Sequence, residues 1–140
     1  MAISASIPYR KEALMSAGIY DIQTEHGVDY TLTMDYLNSS NAVIDLSAKT
    51  LTFSVKRSYI SIQGDYFTVS TAAITEGILP FPDSDNSYGI ITRTNLGVIT
   101  LTIPSLTMTQ VLPGIYYYSL RMTGTTEEVI LRGKFEVEGF

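Results

Sequence analysis

After Gly18 the chain alternates apolar and polar residues with a period of two, and this rhythm decides which class of structure is open to it. In "DYTLTMDYL", Tyr30, Leu32, Met34 and Tyr36 fall on one face of an extended chain, with Thr31, Thr33 and Asp35 on the other. "TLTFSVKRS" places Leu51, Phe53 and Val55 inward against Thr52, Ser54 and Lys56. "GVITLTIP" sets Ile99, Leu101 and Ile103 against Thr100 and Thr102. A helix would spread these apolar positions around its circumference, so each segment is read as a half-buried strand. "EEVILRGKFEVE" turns Val129, Leu131, Phe135 and Val137 inward and Ile130, Arg132, Lys134 and Glu136 outward. Gly133 then falls at an inward position, where a bulge or a close backbone contact is expected.

Turn signals separate the segments: "LNSSNA" from Leu37, "PFPDSDNSYG" from Pro80, "TNLG" from Thr94 and "TGTT" from Thr123. With "IYDIQ" at Ile19 to Gln23 and a strand at Tyr66 to Ser70, the strands number about seven, the count and spacing of a small immunoglobulin-like fold. The expected class is all-β, an antiparallel immunoglobulin-like β-sandwich over residues 19–140. Residues 1–18 stand apart as an N-terminal arm. Pro8 precedes "YRKEALMSA" and Gly18 follows it, the start and stop signals of a short helix. A helix so short is unstable alone, so the arm is read either as a frayed tail or as a segment docked on a partner, with Pro8, Tyr9 and Leu14 as its candidate contacts.

Three consecutive tyrosines in "VLPGIYYYSLRM" cannot share one face of a strand. Alternation puts Tyr116, Tyr118 and Leu120 on one side and Ile115, Tyr117, Ser119 and Arg121 on the other. The Gly114-Ile115-Tyr116 step has the form of a tyrosine corner, in which a buried ring returns its hydroxyl to upstream backbone. Tyr116 and Tyr118 therefore join Phe53, Leu101 and Phe135 in the expected core. Tyr117, beside Arg121, is either an exposed cross-strand partner or an anchor for a neighbouring subunit.

Only 16% of residues are charged, against roughly 25% in ordinary globular domains, so much of the surface is neutral or covered by something. The net charge of -5, with acids scattered along the chain, argues against nucleic acid as a partner. No segment approaches the ~20 apolar residues of a membrane span. "MAISASIPYRKEALM" is interrupted by Pro8, Arg10, Lys11 and Glu12, which argues against a signal peptide, so a soluble protein made in the cytoplasm and without a membrane partner is expected.

The side chains of catalysis are scarce. With no cysteine there is no disulfide, thiolate or cysteine zinc site. The single histidine, His26 in "TEHGVD", is expected in a solvated turn. No nucleophile elbow or phosphate-binding glycine loop occurs. Asp83 and Asp85 in "PDSDNS" lack the glycine and glutamate of a calcium loop and read as a plain turn. Neither an enzyme nor a cofactor is expected.

Several segments, in order, resemble the small immunoglobulin-like virion proteins of tailed bacteriophages: "IYDIQTEHGVDYTLTMDY", "VIDLSAKTLTFSVKRS", "GVITLTIPSLTMTQVLPGIYYYSLRM" and "VILRGKFEVE". The resemblance runs from Ile19 to Val137 and is strongest at Leu112 to Tyr118 and at Ile44-Asp45-Leu46-Ser47. The segment Ser58 to Asn95 is longer and more aromatic than that pattern. The resemblance implies a structural part of a virion, assembled in the host cytoplasm in several copies and partnered by other tail, baseplate or capsid proteins. A tail or baseplate component is the leading expectation and a head decoration protein the next. A third reading, a host-surface or glycan-binding module, would use Tyr59, Tyr66 and Tyr88 to stack on sugars; in the docking readings these tyrosines are candidate interface residues.

Overall fold

The computed structural model describes residues 2–10 (backbone), 18–37, 45–57, 66–72, 88–124 and 127–139. Its elements are β1 (Ala2–Arg10), β2 (Gly18–Ile19), β3 (Ile22–Glu25), β4 (Asp29–Leu37), β5 (Thr50–Lys56), β6 (Phe67–Ser70), β7 (Ile90–Arg93), β8 (Val98–Ile103), α1 (Ser105–Gln110), β9 (Gly114–Thr123) and β10 (Glu127–Glu138). They form an all-β sandwich. One sheet has the order β1-β4-β8-β7; the other has the order β2-β10-β9-β5-β6, with β3 continuing along the same edge of β10.

The inward sets read from the alternation meet in one core: Tyr30, Leu32, Met34 and Tyr36 from β4, Leu51, Phe53 and Val55 from β5, and Ile99, Leu101 and Ile103 from β8 are all buried. Phe135 joins the layers. Its ring stands edge-on to Tyr30 of the opposite sheet, 6.3 Å between centroids, and tilts against Phe53 and Phe67 of its own sheet at 6.1 and 6.2 Å. Such edge-to-face pairs contribute roughly 0.5–1.5 kcal/mol each beyond the area they bury.

Turn chemistry closes the loops. In the "TNLG" hairpin Gly97 takes a φ of 78°, open to glycine at little cost, and Thr94 Oγ1 accepts the N–H groups of Leu96 and Val98 at 3.2 and 3.1 Å. In the Asp45–Ser47 turn, Asp45 Oδ1 accepts from the N–H and the hydroxyl of Ser47 at 2.9 and 2.6 Å. The hydroxyl bond first, and the backbone bond second, hold this carboxyl below its ordinary pKa. Arg93 clamps the same turn by donating to the Lys49 carbonyl at 2.5 Å.

Several features depart from the sequence expectation. Ala2–Arg10, including Pro8 and Tyr9, is not helical: it pairs in parallel with Asp29–Leu37 of this same chain, Pro8 opposite Asp35. The open edge of β4 offers a row of unpaired backbone groups, and an edge strand tolerates the missing N–H of proline. The rest of the expected helix lies outside the described residues. The sandwich is not wholly antiparallel either, because β2 and β3 also run parallel to β10. The strand Ile90–Arg93 and the short helix Ser105–Gln110 were absent from the expected set of about seven strands. "SLTMTQ" continues a strand-like alternation, and the helix start is capped from outside its own sequence by Asp29, whose carboxylate accepts from the Ser105 N–H at 2.5 Å.

The last strand departs most usefully. Val129 pairs with Arg121 and Leu131 with Leu120, so Ile130 is an extra residue and the register slips by one. Ile130, read as outward, is fully buried beside Leu131, while Val129, read as inward, is half-buried on the outer side. Gly133 is the close contact expected of it. The edge strand breaks between β2 and β3 so that Tyr20 and Asp21 lean over it, and a Cβ there would overlap the Tyr20 carbonyl and lie 2.9 Å from Asp21 Oδ1. Asp21 Oδ1 in turn accepts from the Lys134 N–H at 3.0 Å. Gly133→Ala is expected to lower stability by ~1–3 kcal/mol through this overlap, read as a lower denaturant midpoint at unchanged slope.

Candidate functional site

Strand β9 sorts the three tyrosines. Tyr116 and Tyr118 are buried and Tyr117 takes the outer face, half-buried. Tyr116 forms the corner, its hydroxyl donating to the Leu112 carbonyl at 2.6 Å while its ring stacks on Tyr66 at 5.1 Å. Tyr118 stacks on Phe53 at 5.2 Å and donates to the Tyr20 carbonyl at 2.5 Å, tying β9 to the break in the edge strand across β10. Each buried ring therefore spends its one donor on backbone, as a buried hydroxyl requires.

The outer faces of β5, β9 and β10 bring polar side chains into rows. Tyr117 stands between Lys56 and Lys134, Ser119 between Ser54 and Arg132, and Arg121 between Thr52 and Val129. Ser54, Lys56, Tyr117, Ser119, Arg121, Val129 and Arg132 enclose a depression of about 190 Å³. Arg121 makes a 3.3 Å ion pair with Glu127; with the two side chains 43% and 57% exposed, this pair contributes little to stability. Arg121 Nε, by contrast, is buried with no hydrogen-bond partner among the described residues. At the margins Ile115 and Ile19, the latter in register with Arg132, are exposed apolar side chains.

Other candidates fall elsewhere. Phe53, Leu101 and Phe135 are in the core. Tyr66 and Tyr88, expected to face a partner or a sugar, are 5% and 4% exposed. Tyr66 lies between Tyr116 and the Arg57 guanidinium, which sits 5.0 Å from its ring centroid, and Tyr88 packs edge-on against Phe67. Packed rings of this kind have no free face to offer. Leu14, Tyr59, Asp83 and Asp85 lie outside the described residues, and Pro8 and Tyr9 are placed only as backbone of β1. His26 is not simply a solvated turn residue: Nδ1–H donates to the Val111 carbonyl at 2.7 Å, and the backbone N–H donates to Glu138 at 2.8 Å. Among the described residues no three His, Asp or Glu side chains gather into a metal-binding group, and no helix is long and apolar enough to cross a membrane.

Sequence reasoning singled out Tyr117 and Arg121 but missed Ser54, Ser119, Val129, Arg132 and Lys56 as their company. The outward half of each alternation already contained most of them. What was lacking was the strand order, which seats β9 between β5 and β10.

No family model and no curated protein sequence matches this chain. Among solved structures it is similar to the N-terminal domain of ORF48 of phage TP901-1, at 9% identity and a TM-score of 0.36, with 99% of this chain and 98% of that one covered. It is also similar to auracyanin A, a "blue" copper protein of Chloroflexus aurantiacus, at 9% identity and a TM-score of 0.42, with 96% and 100% covered.

Burial raises the pKa values of Tyr30, Tyr116 and Tyr118. For Tyr116 burial first, and then the neighbouring Tyr66, push it up to about 12. A phenol with a raised folded-state pKa keeps its proton in the native chain after the unfolded chain has lost it. Stability is therefore complete below pH ~10 and falls as the pH climbs from there towards 12. Denaturation midpoints measured across pH 8 to 12 (~2 units either side of the ordinary tyrosine value) are expected to be level at first and then to drop, phenolate absorbance appearing with unfolding. Tyr116→Phe is expected to cost about 1 kcal/mol at neutral pH through loss of the corner hydrogen bond.

Proposed function

We propose that this chain is a non-enzymatic structural protein of a bacteriophage virion, a β-sandwich that works by fitting against neighbouring subunits. The observation that carries the reading is the outer face of β5, β9 and β10, where Tyr117 and Arg121 border a cation-lined depression with exposed Ile19 and Ile115 at its margins. Aromatic and arginine side chains anchored on rigid strands, with apolar neighbours, are the composition of interface hot spots. The sequence resemblance to small immunoglobulin-like virion proteins and the low charge content support the same reading.

Within it, a tail or baseplate component is preferred, present in several copies and assembled in the host cytoplasm without nucleic acid or membrane contact. Head decoration is the alternative. Strand β1 supplies a second contact in this scheme, because it forms the edge of its sheet and an edge strand offers backbone groups to another chain. Burial of Tyr66 and Tyr88 removes two of the three rings on which glycan stacking was to rest.

Quantitative mass spectrometry of purified particles of the encoding phage is expected to find the chain at a copy number far below that of the capsid protein; parity with capsid would indicate decoration, and absence would overturn the proposal. Tyr117→Ser and deletion of residues 1–17 are each expected to lower incorporation while circular dichroism still reports a β-sandwich.

A further inference from the structure

We infer that the depression on the outer face of β5, β9 and β10 is a seat for a carboxylate side chain of an acidic protein partner. The inference rests on reading this face as a docking surface and adds the chemistry of what docks. The lining supplies donors and cations, namely Lys56, Arg121, Arg132 and the hydroxyls of Ser54 and Ser119, and contains no Asp or Glu. Three of the nine Lys and Arg residues of a chain with net charge -5 thus surround one small space.

Arg121 is the sharpest pointer. Glu127 meets Nη1 at 3.3 Å, yet Nε is buried and makes no hydrogen bond among the described residues. A buried donor left unpaired is destabilising, and an incoming carboxylate oxygen would relieve that cost. The guanidinium fork suits a planar carboxylate through Nε and an Nη together. Arg132 is exposed and its guanidinium makes no hydrogen bond or ion pair among the described residues, so it is available for the second oxygen.

Size and surrounding charge select the ligand. About 190 Å³ is smaller than the ~300–1,000 Å³ of small-molecule pockets and suits one inserted side chain. A polyanion such as nucleic acid would meet Glu127 and Glu136 on the same strand and the acidic remainder of the chain. A single carboxylate would contend with Glu127, which is already paired with Arg121 Nη1, and that repulsion would be outweighed by the cations of Lys56, Arg121 and Arg132.

The test uses the full chain, isotope-labelled for NMR and titrated with end-blocked hexaglutamate, with hexaglutamine and inorganic phosphate in parallel. Hexaglutamate is expected to shift the Arg121 Nε–H signal and the amides of Ser119, Arg121, Val129 and Arg132, more weakly as salt is added; hexaglutamine should leave them in place. Arg121→Gln and the exposed Arg132→Gln should each weaken binding about tenfold, the latter with unchanged thermal melting. Shifts that are absent or scattered, phosphate binding as tightly as hexaglutamate, or an affinity untouched by Arg132→Gln would overturn the assignment. Hexaglutamate binding by a chain missing from particles would overturn the virion reading and leave this site standing; a particle-borne chain that ignores hexaglutamate would do the reverse.

Discussion

The aromatic junction at Phe135 is the contact on which the arrangement depends. Its ring touches Tyr30 across the sandwich and Phe53 and Phe67 within its own sheet, so it sets both the spacing of the layers and the facing of β10. Once Phe135 points inward, strand geometry leaves Arg132, Lys134 and Glu136 no choice but to point outward. The cationic rows are thus a by-product of core packing. A surface residue on this strand is placed by a buried one.

The same economy governs β9. Tyr116 and Tyr118 fasten the strand by hydroxyl bonds to Leu112 and Tyr20, on either side of the one tyrosine that faces out. Tyr117 is therefore carried on backbone held from both flanks. A side chain so mounted loses little freedom on binding, which favours rigid strand positions over loops as places to build a recognition surface.

How much of this was legible beforehand depended on whether the deciding partner was local. Alternation identified the inward residues of β4, β5 and β8 because the signal is carried by the segment itself. The tyrosine corner was readable for the same reason, its partner Leu112 lying four residues upstream. The helix at Ser105–Gln110 was not, since the group that caps it is Asp29 on another strand. Tyr66 and Tyr88 read as surface anchors because nothing nearby announced that Tyr116 and Phe67 would cover them. The depression was half visible, its residues present in the outward lists but their adjacency hidden until the order β10-β9-β5 was known.

The extra residue in β10 couples the two faces of the molecule. Ile130 fills the interior while its neighbour Val129 becomes part of the wall of the outer hollow, and both placements follow from a single slip in pairing. Shortening the strand by that one residue would bring the N-terminal half of β10 back into straight register, withdrawing a buried isoleucine and reshaping the wall beside Arg121 in the same stroke. Interior and exterior at this end of the sheet can change only together, which would oblige any drift in the core to be answered by whatever rests against the surface.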